Sequence, residues 1–300
     1  GAGVVISQYY GAHRPEKVRD TVHTAMVLTL VLCAVFTALG LALIPAMLDL
    51  MNTPAEVLPE STAYLSIYFS GITGLLIYNM GSGILRAVGD SRRPFYFLVV
   101  SAVLNTGLDL LFVIRFHMGV AGAAVATVIG QFCGCILALI FNLKKNKEIH
   151  LQFRGFRPNW RLVGNIYAIG LPSVIMVAIG SVMTFCMNKI LIAYHSAKET
   201  AATAFGIYFK LNSFIFMPVF GLNNGVVPIV AYNYGAQNRL RMVETIKRST
   251  IYASCIMVLG VIIFWAIPGP LLKIFDATDT MLQVGVPALR IICLLYTSPS

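Results

Sequence analysis

Of the twelve acidic residues in this 300-residue chain, eleven fall in polar stretches or at the edges of apolar ones. Asp109 alone lies well inside an apolar run. A carboxylate there costs roughly 2.5–3.5 kcal/mol to insert, so it must face a partner or a polar cavity. Asn105 precedes it by one helical turn and shares its face. Thr127 lies on the next apolar run, joined by a short loop and therefore antiparallel beside the first. Carboxylate, amide oxygen and hydroxyl are hard oxygen ligands that suit a small cation. A lone carboxyl inside a span can equally carry a proton. The plainer alternative is a hydrogen bond between Asp109 and Asn105 that only fixes the local packing. Gln131, one turn beyond Thr127, is a further candidate for the same lining.

The remaining polar residues in apolar runs are fewer and less pointed. Lys189 near the end of its run reads as a snorkelling cation, whereas Lys210 lies deeper. Asn212, Asn223 and Asn224 could line a cavity or bond between helices. Pro172, Pro218 and Pro228 sit within helical patterns, as hinges or as static kinks. Cys33, Cys133, Cys135, Cys186, Cys255 and Cys293 all fall in apolar segments and read as buried free thiols. His13, His23, His117, His150 and His195 have neither metal nor triad spacing. No resident metal, cofactor or catalytic constellation is expected, and the chain does not read as an enzyme.

The elements that position these residues follow from composition. Hydrophobic residues make up 58% of the chain and charged residues 11%, against roughly 45–50% and 25% in average globular proteins. So few charges cannot cover a soluble 300-residue fold, and a multi-pass membrane protein is expected, in the plasma (inner) membrane. Apolar runs long enough to span occur near 24–48, 62–86, 94–114, 118–143, 164–194, 200–232 and 249–272. Residues 1–10 read as the tail of an earlier span and 280–296 as the start of a later one. The period-two alternation of barrel strands is absent, so the fold class is all-α.

A net charge of +10 could indicate nucleic acid, but its placement argues otherwise. Arg14, Lys17 and Arg19, then Arg86, Arg92 and Arg93, then Lys144 to Arg161, then Arg239 to Arg248 mark alternate connections. The connections between them hold only Arg115, Lys198 and Lys273. The positive-inside rule puts the first set in the cytoplasm. The connection 144–163 is a topology-setting linker, with anionic lipid as an alternative partner.

The chain also repeats itself. Tyr10-Gly11-Ala12 returns 224 residues later as Tyr234-Gly235-Ala236. At the same offset Lys17, Asp20, Thr21 and Val22 are answered by Arg241, Glu244, Thr245 and Ile246. Ile44-Pro45 returns as Ile267-Pro268 after a one-residue slip. Six spans separate the copies, so both face the same side and the repeat is parallel. Two such units need about 450 residues and twelve helices. The expected organisation is an N-terminal lobe over 1–143, the connection 144–163, and a C-terminal lobe over 164–300. The chain is expected to run from helix two to helix ten of a longer protein.

Taken together, Ser7 to Ala12, Leu85 to Asp90, Asn105 to Asp109, Gly119 to Thr127, Pro218 to Gly221 and Tyr232 to Ala236 resemble the multidrug and toxic compound extrusion (MATE) family. The resemblance implies twelve helices in two six-helix lobes around a central cavity. It further implies export of organic, often cationic, small molecules against a sodium or proton gradient. In the branch with an N-lobe cation site, Asn105, Asp109 and Thr127 match the site positions. That site also takes an Asp from helix one, expected before Gly1. A Glu found on helix seven in some members has no counterpart between Ile175 and Ile190.

The expected function is thus a cation-coupled antiporter working by alternating access, with membrane lipid around it, no nucleic acid, and a monomer as the working unit. The nearest rival is a lipid-linked sugar flippase of the same architecture. Its cavity should carry several basic residues for a diphosphate, where this chain offers mainly Lys189 and Lys210. A membrane-embedded enzyme would need clustered acids or histidines at one face. A channel would need polar stripes on several helices.

Overall fold

Each apolar run forms a helix in the computed structural model, because a backbone without water must satisfy its own donors and acceptors. The structure describes residues 1–51, 53–144, 159–193, 198–273, 282, 285–287 and 290. The helices in chain order are α1 (Ala2–Gly11), α2 (Pro15–Leu50), α3 (Leu58–Ala87), α4 (Arg92–Asp109), α5 (Gly119–Lys144), α6 (Trp160–Ala193), α7 (Lys198–Gly235), α8 (Arg239–Ala266) and α9 (Pro268–Lys273). A π-helical segment, Leu110–Arg115, follows α4 directly. No strand occurs among the described residues. Five helical segments are long and apolar enough to cross a membrane: Pro15–Leu50, Arg92–Arg115, Gly119–Lys144, Trp160–Met187 and Arg239–Ala266. The protein is an all-α, multi-pass membrane protein.

The chain divides into two compact units. The first comprises Gly1–Gly170 with Ala231–Asn238. Its heart is α3, which packs along both α2 and α5. Small residues permit the close approach: Gly71 meets Val128, Gly74 meets Phe132 and Gly81 meets Ala138. Ile6, Val18, Val22, Met26, Ile84 and Ala87 form a buried cluster that joins α1, α2 and α3. Leu85, Phe97 and Ala138 join α3, α4 and α5. Buried polar groups tie the same helices. Ser7 donates its hydroxyl to the Ala87 carbonyl (2.9 Å). Asn142 donates its amide to Gly81 (3.1 Å) and Ala138 (2.8 Å). The outward faces stay apolar: Leu98, Val99, Val100 and Val103 of α4 are exposed, as a surface solvated by lipid tails can be.

The second unit comprises Leu171–Val230 and Arg239–Ser300. Here Pro172 lies inside α6, and Pro218 and Pro228 inside α7. Within α8, Gly260 and Phe264 are buried, as are Pro268 and Leu272 of α9.

The repeat seen in the sequence is a repeat of backbone geometry. At the end of α1 the carbonyls of Gln8, Tyr10 and Tyr9 accept the N–H groups of Ala12 (3.0 Å), His13 (3.1 Å) and Arg14 (3.1 Å). At the end of α7 those of Tyr232, Tyr234 and Asn233 accept Ala236 (2.9 Å), Gln237 (3.1 Å) and Asn238 (2.9 Å). Every partner is displaced by the same 224 residues. Each corner turns on a left-handed residue, His13 at φ 52° and Gln237 at φ 57°, which satisfies the last carbonyls of the helix. A third corner after α3 uses Gly89, at φ 92°, in the same role.

The two copies of the corner also touch. A Cβ on Gly11 would collide with the carbonyl oxygen of Tyr232, and one on Gly235 with that of Gln8. Tyr232 is Gln8 displaced by the repeat, as Gly235 is Gly11, so the contacts are reciprocal. Each has the form of a Cα–H···O contact between helices, worth roughly 0.5–1 kcal/mol. The rings of Tyr10 and Tyr232, from the same two helix ends, lie 5.8 Å apart between centroids.

Candidate functional site

The candidate site lies where α4 approaches α5. Gly130 of α5 has no side chain to hold α4 away, and a Cβ there would stand 3.0 Å from the Asn105 Cβ. Ser101 donates its hydroxyl to the Gly130 carbonyl at 2.6 Å. A Cβ on Gly134 would stand 2.7 Å from Ser101 Oγ, and one on Gly122 would stand 3.1 Å from the Phe112 Cβ. These contacts fix an antiparallel register with Asn105 at Gly130 and Phe112 at Gly122. Asp109 lies between them, level with the stretch of α5 that carries Thr127.

Asn105, Asp109, Thr127 and Gln131 are all half-buried. Asp109 Oδ1, Asn105 Nδ2 and Gln131 Oε1 are shielded from solvent and have no hydrogen-bond partner. Most buried polar groups find one, so three unsatisfied atoms around one helix contact make this the candidate site. Thr127 donates its hydroxyl to the Ala123 carbonyl at 2.9 Å, which leaves its oxygen lone pairs free to accept. A half-turn of the Asn105 amide exchanges its oxygen and nitrogen, so the group can meet either an acceptor or a cation. The donor set fits a small cation of the hard, oxygen-loving kind. It does not fit a softer metal: no group of three His, Cys, Asp or Glu side chains converges among the described residues.

Asp109 also ends α4, and the helix widens into the π segment immediately after it. Single π turns are frequent at functional sites. Sequence reasoning expected one continuous helix over 94–114, because Leu110 to Ile114 is uniformly apolar and carries no breaker. Ser101 was also missed, since its role depends on a glycine on another helix.

The other candidates are placed elsewhere. Lys189, on α6, is exposed and lies over the Phe185 ring at 5.1 Å, an ordinary resting place for a cation at an apolar surface. Asn223 and Asn224 lie on α7 and are exposed. Lys210 and Asn212 also lie on α7, with side chains outside the described residues. Five cysteines are free thiols. Cys33 and Cys135 are buried as expected, and Cys133 is half-buried. Cys186 and Cys255 are exposed instead, on the apolar flanks of α6 and α8. Cys293 lies outside the described residues.

Comparison with known proteins agrees with this architecture. The chain is 31% identical over 292 residues to the probable multidrug resistance protein YpnP of Bacillus subtilis, with 97% of this chain and 64% of that protein aligned. It is 29% identical over 303 residues to the probable multidrug resistance protein NorM of Thermotoga maritima, covering 97% of this chain and 63% of the relative. The chain thus spans less than two thirds of the length of these relatives. Among solved structures, a MATE protein in a bent conformation superposes with a TM-score of 0.88 at 21% identity, over 99% of this chain and 65% of that one. A MOP superfamily transporter from Pyrococcus furiosus gives 0.88 at 22% identity, over 99% and 67%. At that identity the likeness is one of fold. The MatE sequence model matches residues 1–111 and 172–298, which include both Asn105 and Asp109. With that match over most of its length, the chain belongs to the MatE family.

Proposed function

We propose that this protein exports organic, often cationic, compounds in exchange for a sodium ion or a proton. Transport proceeds by alternating access between two six-helix lobes, to which residues 1–143 and 164–300 contribute. The carrying observation is the set of unpartnered oxygens and amides at the α4–α5 contact around Asp109, the one acid deep in a span among the described residues. Relatives named as multidrug resistance and multidrug export proteins support the substrate class.

In this reading Asp109 supplies the negative charge that holds the coupling ion. Asn105 and Thr127 supply neutral oxygens, and Gln131 completes the lining. Ion binding favours one access state and substrate the other, and the difference in affinity drives export. The basic connections lie in the cytoplasm, so ions enter from the opposite side and substrate leaves towards it. Nothing in the scheme requires a covalent step or a resident cofactor.

The test is ethidium efflux from cells carrying the complete protein, native against Asp109→Asn, with and without sodium. The variant should reach the membrane and lose efflux. A variant that pumps at the native rate removes Asp109 from the coupling site. A native protein that never moves the dye returns the question to the substrate class.

A further inference from the structure

The reciprocal contact between the end of α1 and the end of α7 is not required by either helix alone. Gly11 is buried and Gly235 is half-buried, and each receives the carbonyl of the other corner in the space a Cβ would take. In both cases that carbonyl belongs to the residue three positions before the glycine. The two copies of the repeat therefore meet about their own local two-fold axis, at the end flanked by Arg14, Lys17, Arg239 and Arg241. Such symmetry has a mechanical consequence: a single straight separation of the two corners breaks both contacts together. Gly83 and Gly180, by contrast, have nothing within 4 Å of where a Cβ would lie.

We propose that the Gly11–Gly235 crossing is the closure of the cytoplasmic end. The two corners lock glycine to carbonyl when that end is shut and separate together when it opens. This inference rests on the transport reading above, and it adds the residues whose missing side chains set the closed state. A backbone-to-backbone contact is suited to the task because it makes or breaks without rotamer rearrangement, and the rings of Tyr10 and Tyr232 pair across the same two helix ends.

The closing experiment measures distances, not transport. Spin labels are placed at Arg14→Cys and Asn238→Cys, equivalent positions just beyond the two corners. The complete protein, with its native cysteines replaced by serine, is held in lipid nanodiscs. Gly11→Ala and Gly235→Ala should each raise the long-distance fraction by about threefold or more, with little further rise in the double variant, because one methyl already breaks the shared contact. Gly83→Ala should leave the distribution as it was. Unchanged distances in both glycine variants overturn the proposal. Should the variants not fold, oxidising the unlabelled Arg14→Cys, Asn238→Cys pair to a disulfide provides the second test. The bond should stop dye efflux, and dithiothreitol should restore it. Efflux at the native rate with the bond intact overturns the proposal equally. If the native protein moves no dye while the labels still separate in the glycine variants, the transport reading fails and the closure stands.

Discussion

The two copies of the repeat agree at their corners and part company one helix later. The turns at His13 and Gln237 share every backbone hydrogen bond and the same left-handed residue. Beyond them, α2 runs unbroken from Pro15 to Leu50 with Pro45 in its interior. In the second copy α8 stops at Ala266, bends at Ile267 and restarts as α9 at Pro268. The proline is common to both, so the proline alone does not break the helix. Its neighbours decide. Ala46 and Met47 follow Pro45 and favour helix, whereas Gly269 and Pro270 follow Pro268. A second proline two residues on removes another donor and clashes with the preceding turn, so the chain makes Pro268 the first residue of a new helix, where its missing N–H costs nothing. The chemistry divides in the same way: among the described residues the one acid deep in a span, Asp109, belongs to the first copy.

That contrast can be broken at several points. The largest effect is expected from Asp109→Asn, which removes the charge that distinguishes the first copy. Coupled efflux should fall by about tenfold or more at unchanged membrane abundance, read as the dye-efflux rate with and without sodium. Next is the transplant of the second copy's break. Ala46→Gly with Met47→Pro gives α2 the sequence Pro-Gly-Pro, and should cost about 3–4 kcal/mol or divide the helix, seen as a lowered unfolding temperature in detergent.

Two asparagines one helix apart sharpen the difference between structure and site. Asn142→Ala loses bonds to Gly81 and Ala138 and should destabilise by about 1–3 kcal/mol. Asn105→Ala removes a group whose Nδ2 has no partner, and should change efflux more than thermal stability. The smallest effects test the corners themselves. Gly89→Ala should cost about 1 kcal/mol, because its φ of 92° is closed to a residue with a Cβ. His13→Gly and Gln237→Gly should each be neutral or stabilising by up to about 1 kcal/mol, and by similar amounts if the corners are true copies. Thermal unfolding monitored by circular dichroism reads all three.

Asp109 was legible as a candidate because an acid in an apolar run has so few explanations. Its link to Asn105 followed from helical spacing, and to Thr127 from the short connection between their helices. Gln131 could be placed on the same face, but not that its Oε1 would be left without a partner. Ser101 gave no signal, since its importance lies in a carbonyl 29 residues away. The π segment was hidden for a similar reason. Leu110 to Arg115 could form an ordinary helix, and no residue among them announces the wider turn.

The sequence by itself determined the membrane class, the helical runs and the repeat, because these depend on composition, run length and order along the chain. It also determined the corner geometry twice over, since local hydrogen bonds follow local residues. The tertiary structure decided which helices touch, which polar atoms remain unpartnered, and that Gly11 and Gly235 meet at all. Those facts depend on how closely separate backbones approach, and that distance is set by the absence of side chains at positions far apart in the chain.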